Sequence, residues 1–409
     1  MPHVPRSLPR LPWRGGRRWA AAPAAFAVAS LVLVTACGGG GGSPANGGSS
    51  GDKSPIKIAW MGAETGPNAS RDRHYAIELA VNEINAAGGV DGHRVEVTYY
   101  DAGFTPDGAL TAVRKALSDK PTAIVGLAVT AQVKAVAGLL GSSKIPVLHV
   151  AQSDEADSGA LGVQNLFRYG QTGYQATGAV VKYILDRHAP QRVGIIHSTD
   201  DSSAEAGREM AHALQTAGVQ TVERAVPSNA TDLTEAVLAL KNTDVTINWS
   251  FPILDALFLK QRHQNGLTQP DYGENSGANV VFNGLASPDE LRGYNYEISC
   301  APDLLDTQVA KAYVTAYKSK YNVAATSYTL GPSYDAVKLL AAAVKQAGST
   351  DSSAITGALR SISYDGVCGR YKADANQNMW HRVMIVDASG GPSGQKLLKS
   401  YDDLPSTAK

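Results

Sequence analysis

The side chains able to do chemistry in this sequence gather where β-type runs give way to helical spacing. Six such segments stand out: Ala63–Asp72, Leu127–Thr130, Ala151–Glu155, Ser198–Ser203, Trp249–Leu254 and Gly284–Asp289. Hydroxyls and free N–H groups at helix N-termini suit a small anion, and the same residue types also cap helices. Catalytic signatures are missing. There is no Gly-x-Ser-x-Gly elbow between a strand and a helix, no His-Glu-x-x-His and no P-loop. The nine histidines are scattered and recur in no pattern with cysteines or paired acids. Neither Cys300 nor Cys368 has a histidine at zinc-ligand spacing. The chemistry on offer is that of binding a small polar molecule, with no enzyme activity, metal or cofactor expected.

These segments are positioned by an alternation that starts at Ile56. Ile56–Gly62 reads as a buried strand, and Ile77, Ala80, Val81, Ile84 and Ala87 then share one helical face, stopped by Gly88-Gly89. Arg94–Tyr100 is a second strand. Thr105-Pro106 supplies an N-cap and a first helical position ahead of the stripe Ala109, Ala112, Val113 and Leu117. Further strands are expected at Ala123–Val125, Pro146–Val150, Arg192–His197, Val219–Ala225, Asp244–Asn248 and Val280–Asn283. Helices are expected at Ala131–Leu140, Tyr174–Arg187, Ala204–Ala217, Asp232–Lys241 and Leu254–Asn265. Repeated βα units imply parallel sheets covered by helices, with ligands beyond the carboxyl ends of the strands. The tail breaks the rhythm. Helices at Thr307–Tyr321, Ser333–Ala347 and Ser352–Ser361 precede strands at Gly366–Tyr371 and Arg382–Val386, so the chain returns to complete lobes begun earlier.

The N-terminus sets the compartment. Arg6, Arg10, Arg14, Arg17 and Arg18 precede an apolar run from Trp19 to Ala36, and Val34-Thr35-Ala36 leads into Cys37. These are the parts of a secretory signal, and the tetrapeptide ending in Cys37 resembles the bacterial lipobox. That resemblance implies a diacylglyceryl group on Cys37, which would then be the mature N-terminus. A run of about 18 residues sits at the lower edge for a spanning helix, and glycines rather than basic residues follow it. Gly38–Pro55 is mostly Gly, Ser, Asn and Pro, the composition of a flexible tether. The chain has 37 basic and 37 acidic residues, and five of the basic ones lie before Cys37 with no acidic residue beside them. The exported part is therefore net acidic by about five charges, which argues against nucleic acid as a partner. The roughly 355 residues after the tether suit two domains. In an oxidising compartment Cys300 and Cys368 are either a disulfide or two buried thiols.

Three motifs carry a family resemblance. They are Gly62-Ala63-Glu64-Thr65-Gly66-Pro67 after the first strand, the run Asn82-Glu83-Ile84-Asn85-Ala86-Ala87-Gly88-Gly89-Val90-Asp91-Gly92 before the second, and Tyr100-Asp101. Together they resemble the branched-chain amino-acid (Leu/Ile/Val) binding proteins of ABC uptake systems, which have the type I periplasmic binding protein fold. The resemblance runs from about Pro55 to about Gly391. It implies an α/β fold of two Rossmann-like lobes, each a parallel sheet flanked by helices, joined by a three-segment hinge and closing on a ligand. Carried onto this chain, residues 1–36 are the signal peptide and 37–54 the tether. Lobe one is 55–172 plus 303–365, lobe two is 173–302 plus 366–395, and 396–409 is a C-terminal tail. Cys300 and Cys368 then fall near the second and third crossings, and the resemblance implies that they pair at the hinge.

The resemblance also places a ligand. Hydroxyl donors to a ligand carboxylate fall on Thr130 and Ser153, and the Ala151 carbonyl accepts from an ammonium. An aromatic cover falls on Phe251, and a tyrosine of the family is replaced by Ser202. The family's acidic ammonium partner falls on Ala286, so a carboxylate without an ammonium, or a neutral amide, is expected to fit as well as an amino acid. The nearby acids Glu155, Asp200 and Asp201 are expected to be solvated. Ser70 and Arg71 lie in the first loop, where the family contributes side-chain specificity, and Tyr328 closes one end of the cleft. The expected protein is a monomeric extracytoplasmic solute-binding lipoprotein that delivers its ligand to ABC permease subunits. The alternative is a ligand-sensing ectodomain that feeds a signalling partner.

Overall fold

The computed structural model describes residues 53–65, 71–323, 330–380 and 382–407. Cys37, Ser70 and Tyr328 lie outside the described residues, as does the expected signal peptide. Among the described residues no helix is long and apolar enough to cross a membrane.

The first half of the fold alternates β1 (Lys53–Gly62), α1 (Arg71–Ala86), β2 (His93–Asp101), α2 (Pro106–Ser118), β3 (Ala123–Gly126), α3 (Thr130–Ser143), β4 (Val147–His149), α4 (Ser158–Leu161) and β5 (Leu166–Arg168). The five strands form one sheet, ordered β2-β1-β3-β4-β5, with every pair parallel. Side chains of β1 alternate between two cores, as the period of two requires. Ile56, Ile58 and Trp60 pack with Ile77 and Ala80 of α1, whereas Ala59 and Met61 pack with Ala109, Val113, Val133 and Val136. Helix α2 starts as its sequence reads. The Thr105 hydroxyl accepts from the Gly108 N–H, Pro106 takes the first helical position, and Ala109, Ala112, Val113 and Ala116 are buried along one face.

The second half contains α5 (Gly173–His188), β6 (Arg192–Ser198), α6 (Asp201–Thr216), β7 (Gln220–Val226), α7 (Thr234–Ala239), β8 (Val245–Trp249), α8 (Pro252–Gln264), β9 (Asp271–Gly273), α9 (Gly277–Phe282) and β10 (Tyr294–Ile298). The chain then returns to the first core with α10 (Gln308–Tyr321), α11 (Leu330–Ala347) and α12 (Ser352–Ser361). A small hairpin of β11 (Ser363–Asp365) and β12 (Arg370–Lys372) follows, before β13 (Val383–Asp387) and β14 (Lys396–Tyr401) close the second sheet. That sheet is ordered β14-β13-β10-β9-β8-β6-β7, parallel from β7 to β10 and antiparallel at β13 and β14.

Two lobes joined by three crossings result, and side chains tie the crossings together. Thr172 and Gln175 form a capping box at the start of α5, and Gln175 also donates to the Trp380 carbonyl at 2.8 Å. Cys300, just after β10, forms a disulfide with Cys368, their Cα atoms 5.0 Å apart and both side chains buried. Gly331 faces both sulfurs, and a Cβ there would come within 2.6 and 2.7 Å of them. Fully buried Asp335 accepts from the N–H groups of Val367 and Cys368 and from the Tyr371 hydroxyl, at 2.8, 2.9 and 3.0 Å.

Four expectations are corrected. Val280–Asn283 is not a strand: Val280-Val281-Phe282 end α9, and the strand of that unit is β9, ten residues earlier, too short and polar to register as a β-type run. Lys53 and Ser54 belong to β1 rather than to the tether. Residues 396–401 are the edge strand β14 rather than a tail, and the Thr172 hydroxyl bonds the Ser406 carbonyl at 2.8 Å. Val367, Cys368, Tyr371, Met379 and Trp380 pack into the first lobe's core, so the second lobe resumes only at Val383.

Candidate functional site

The carboxyl ends of the parallel strands carry the polar groups of interest. On the first lobe the backbone turns sharply after β3. Gly126 has φ +111°, where an added Cβ would lie 2.0 Å from the Met61 carbonyl, and Leu127 follows at φ +64°. Val129 is the N-cap of α3 and Thr130 its first helical residue. The Gln132 side chain fixes this start by accepting from the Val129 N–H at 3.3 Å and donating to the carbonyls of Ala102 and Gly103 at 3.1 and 3.0 Å. Thr130 is therefore not the capping residue. Its half-buried hydroxyl makes no hydrogen bond among the described residues, and it stands beside the unsatisfied N–H groups of the helix end.

Ser153 behaves differently. Its hydroxyl caps the short 3-10 turn Asp154–Ala156 by accepting from the Glu155 N–H at 3.3 Å. Its carbonyl accepts from Arg168 at 2.6 Å, and the buried Arg168 guanidinium also lies 2.6 Å from Asp157. Ala151 is fully buried, and among the described residues nothing donates to its carbonyl. Glu155 pairs with Lys134 on the surface. Arg71 opens α1.

On the second lobe, Asp200 is the N-cap of α6 and gathers the Ser198 and Ser202 hydroxyls and the Ser203 N–H. Burial pushes the Asp200 carboxyl up, but the hydrogen bonds outweigh burial and hold it below the ordinary value. Ser202 is exposed and serves this cap. Phe251 is the N-cap of α8 and is 54% exposed, a large apolar ring left in solvent, as is Ile253 two residues on.

The position of β9 sets the electrostatics of this lobe. Ala286 lies beyond α9, buried in the second lobe's core. The residue that follows β9 is Glu274, also buried, and its Oε1 has no partner. Burial pushes the Glu274 carboxyl up to about 7, against a hydrogen bond from Ser276 and with help from the charge of Asp200. Next to it, at the end of β10, Glu297 accepts from Gln171 at 2.7 Å and from the Asn275 N–H at 3.0 Å, and burial pushes it up to about 8. An acid thus stands where the sequence reading expected none. Asp271-Tyr272-Gly273 carried too little hydrophobic signal to mark the strand that presents it. Two buried carboxyls at adjacent strand ends favour a cation, and hydroxyl and N–H donors at Thr130 favour an anion.

The sequence matches the family described as periplasmic binding protein over residues 55–393. The Leu/Ile/Val-binding protein homolog 3 of Brucella melitensis is 25% identical over 75% of this chain and 83% of its own length. The branched-chain amino acid transporter substrate binding protein LivJ of Streptococcus pneumoniae, solved with isoleucine, superposes with a TM-score of 0.74 at 21% identity, covering 84% of this chain and 99% of that one. A solute binding protein of an ABC transporter from Rhodopseudomonas palustris, solved with 3,4-dihydroxybenzoic acid, gives a TM-score of 0.74 at 18% identity, covering 86% of this chain and 98% of that one.

Proposed function

This chain belongs to the periplasmic binding protein family, and on that premise we propose that it is the solute receptor of an ABC uptake system, capturing a small amino acid by closing two lobes around it. The observation that carries this reading is the pairing of unlike sites. Thr130 and the N-terminus of α3 offer unused donors on one lobe, and Glu274 offers a buried carboxyl with one oxygen unpartnered on the other. A molecule with a carboxylate and an ammonium on one carbon meets both demands. The ligand carboxylate docks against Thr130 and Ser153, and its ammonium meets the Ala151 carbonyl. Rotation about the hinge then brings Glu274 to the ammonium and Phe251 over the apolar part. Ligand contacts exist on both lobes only in the closed state, so binding shifts the population toward closure.

Binding rather than catalysis is the activity, in keeping with relatives that are binding proteins. The leader and Cys37 support anchoring at the outer face of the cell membrane by lipid, with the glycine-rich tether giving a monomeric receptor reach toward its permease. A thermal-shift screen of the twenty amino acids and of matched carboxylates lacking the ammonium tests the reading, because ligand raises apparent stability. Amino acids are expected to raise the melting temperature more than their des-amino counterparts. The reverse order would remove Glu274 from the site.

A further inference from the structure

The first lobe carries a polar cluster that the docking of a carboxylate and an ammonium leaves unused. Gly62 ends β1, the strand flanked by β2 and β3, at the edge where ligand is read to enter. Three polar atoms of opposite character converge on this glycine. A Cβ at Gly62 would lie 2.7 Å from Glu64 Oε1, 3.2 Å from Arg73 Nη1 and 3.5 Å from Trp60 Nε1. The Trp60 ring is only 2% exposed and its N–H has no acceptor, and Glu64 Oε1 is buried without a donor. Glu64 is held in place rather than loose. Its other oxygen pairs with His74 Nε2 at 2.6 Å, His74 stacks on Tyr99 with ring centroids 4.0 Å apart, and the Glu64 N–H donates to Asp101 at 3.2 Å. A buried donor and a buried acceptor left open side by side are unfavourable unless something bridges them.

We propose that Trp60, Glu64 and Arg73 around Gly62 form a specificity subsite that reads a neutral polar group on the ligand side chain, a hydroxyl or a carboxamide. Such a group donates to Glu64 Oε1 and accepts from the indole N–H. An ammonium could not accept from Trp60, a carboxylate has no proton to donate to Glu64 Oε1, and a methyl group would leave both protein atoms unsatisfied. The subsite rests on the amino-acid reading of the cleft and names the side chain that reading leaves open.

Titration calorimetry on the full-length protein with two isosteric pairs, L-asparagine against L-leucine and L-threonine against L-valine, tests it. In each pair that binds, the polar member is expected to bind at least about tenfold more tightly, because a site built around hydrogen bonds rejects the analogue lacking them. Glu64→Met is expected to cut that preference below about threefold, because the apolar member then no longer leaves a buried carboxylate oxygen unpaired. Trp60→Phe is expected to do the same, and the partly exposed Glu64 position keeps the test available if the core substitution unfolds the lobe. Apolar members that bind as tightly as polar ones, or a folded Glu64→Met protein with its preference intact, would overturn the subsite and leave the amino-acid reading standing. A protein that binds none of the four but binds another of the twenty amino acids overturns the subsite alone, and one that binds no amino acid overturns the amino-acid reading and the subsite with it.

Discussion

Replacing Glu274 with glutamine is expected to make the unliganded protein more stable and the receptor worse. Burial raises this carboxyl from 4.5 to about 7. An acid with a higher pKa in the folded chain than in the unfolded one makes the folded state bind more protons. Its contribution to stability therefore falls as pH climbs from about 4.5 to about 7, and is constant outside that window. A shift of about 2.5 units corresponds to about 3 kcal/mol of destabilisation at pH 8, and the side chain is buried enough for solvent screening to be slight. Glutamine keeps the shape and removes the ionisation. Urea unfolding at pH 8 is thus expected to show Glu274→Gln more stable than the parent by up to about 3 kcal/mol, and by under about 1 kcal/mol at pH 5. Glu297 is raised in part by the Glu274 charge, so the difference also carries the repulsion between these two carboxyls. Calorimetry with an amino-acid ligand is expected to show at least a tenfold loss of affinity, because the ammonium loses its charged partner. A variant no more stable than the parent at pH 8, or a difference that does not shrink at pH 5, would refute the burial argument.

Other perturbations follow from the same geometry. Thr130→Ala combined with Ser153→Ala is expected to weaken ligand binding at least about tenfold by calorimetry, since it removes both hydroxyls offered to the carboxylate. Replacing Cys300 and Cys368 together by alanine opens a link between residues 68 apart in sequence. That change is expected to cost about 4 kcal/mol on the chain-entropy model, read as a lower unfolding midpoint in urea. Asp335→Ala leaves the N–H groups of Val367 and Cys368 and the Tyr371 hydroxyl buried without their acceptor. A loss of about 3 kcal/mol or more is expected, and equal stability would show that this carboxyl does not hold the third crossing.

Local signals were readable wherever one element was long and strongly periodic. The Thr105-Pro106 start of α2 appears as read, its stripe does so with Ala116 buried and Leu117 only partly buried, and Ile56–Gly62, read as a buried strand, packs on a core at each face. Signals failed where tertiary context decides. Val280-Val281-Phe282 has strand-forming residues yet closes a short helix, and the strand it was mistaken for is three residues long. That one displacement set Ala286 at the strand end and left Glu274 unread, which is why a ligand without an ammonium was expected to fit. The position of Thr130 was legible from its place after β3. Its freedom from capping was not, because that depends on Gln132 reaching back to residues about 30 positions earlier.

On the proposed mechanism, the two lobes hold the two charged ends of one amino acid. A crystal structure of the complex with the amino acid that most raises the melting temperature tests it directly. The ligand carboxylate is expected within hydrogen-bonding distance of Thr130 and its ammonium against Glu274, with the lobes closed. A ligand bound away from both residues, or an ammonium that Glu274 does not touch, would contradict it.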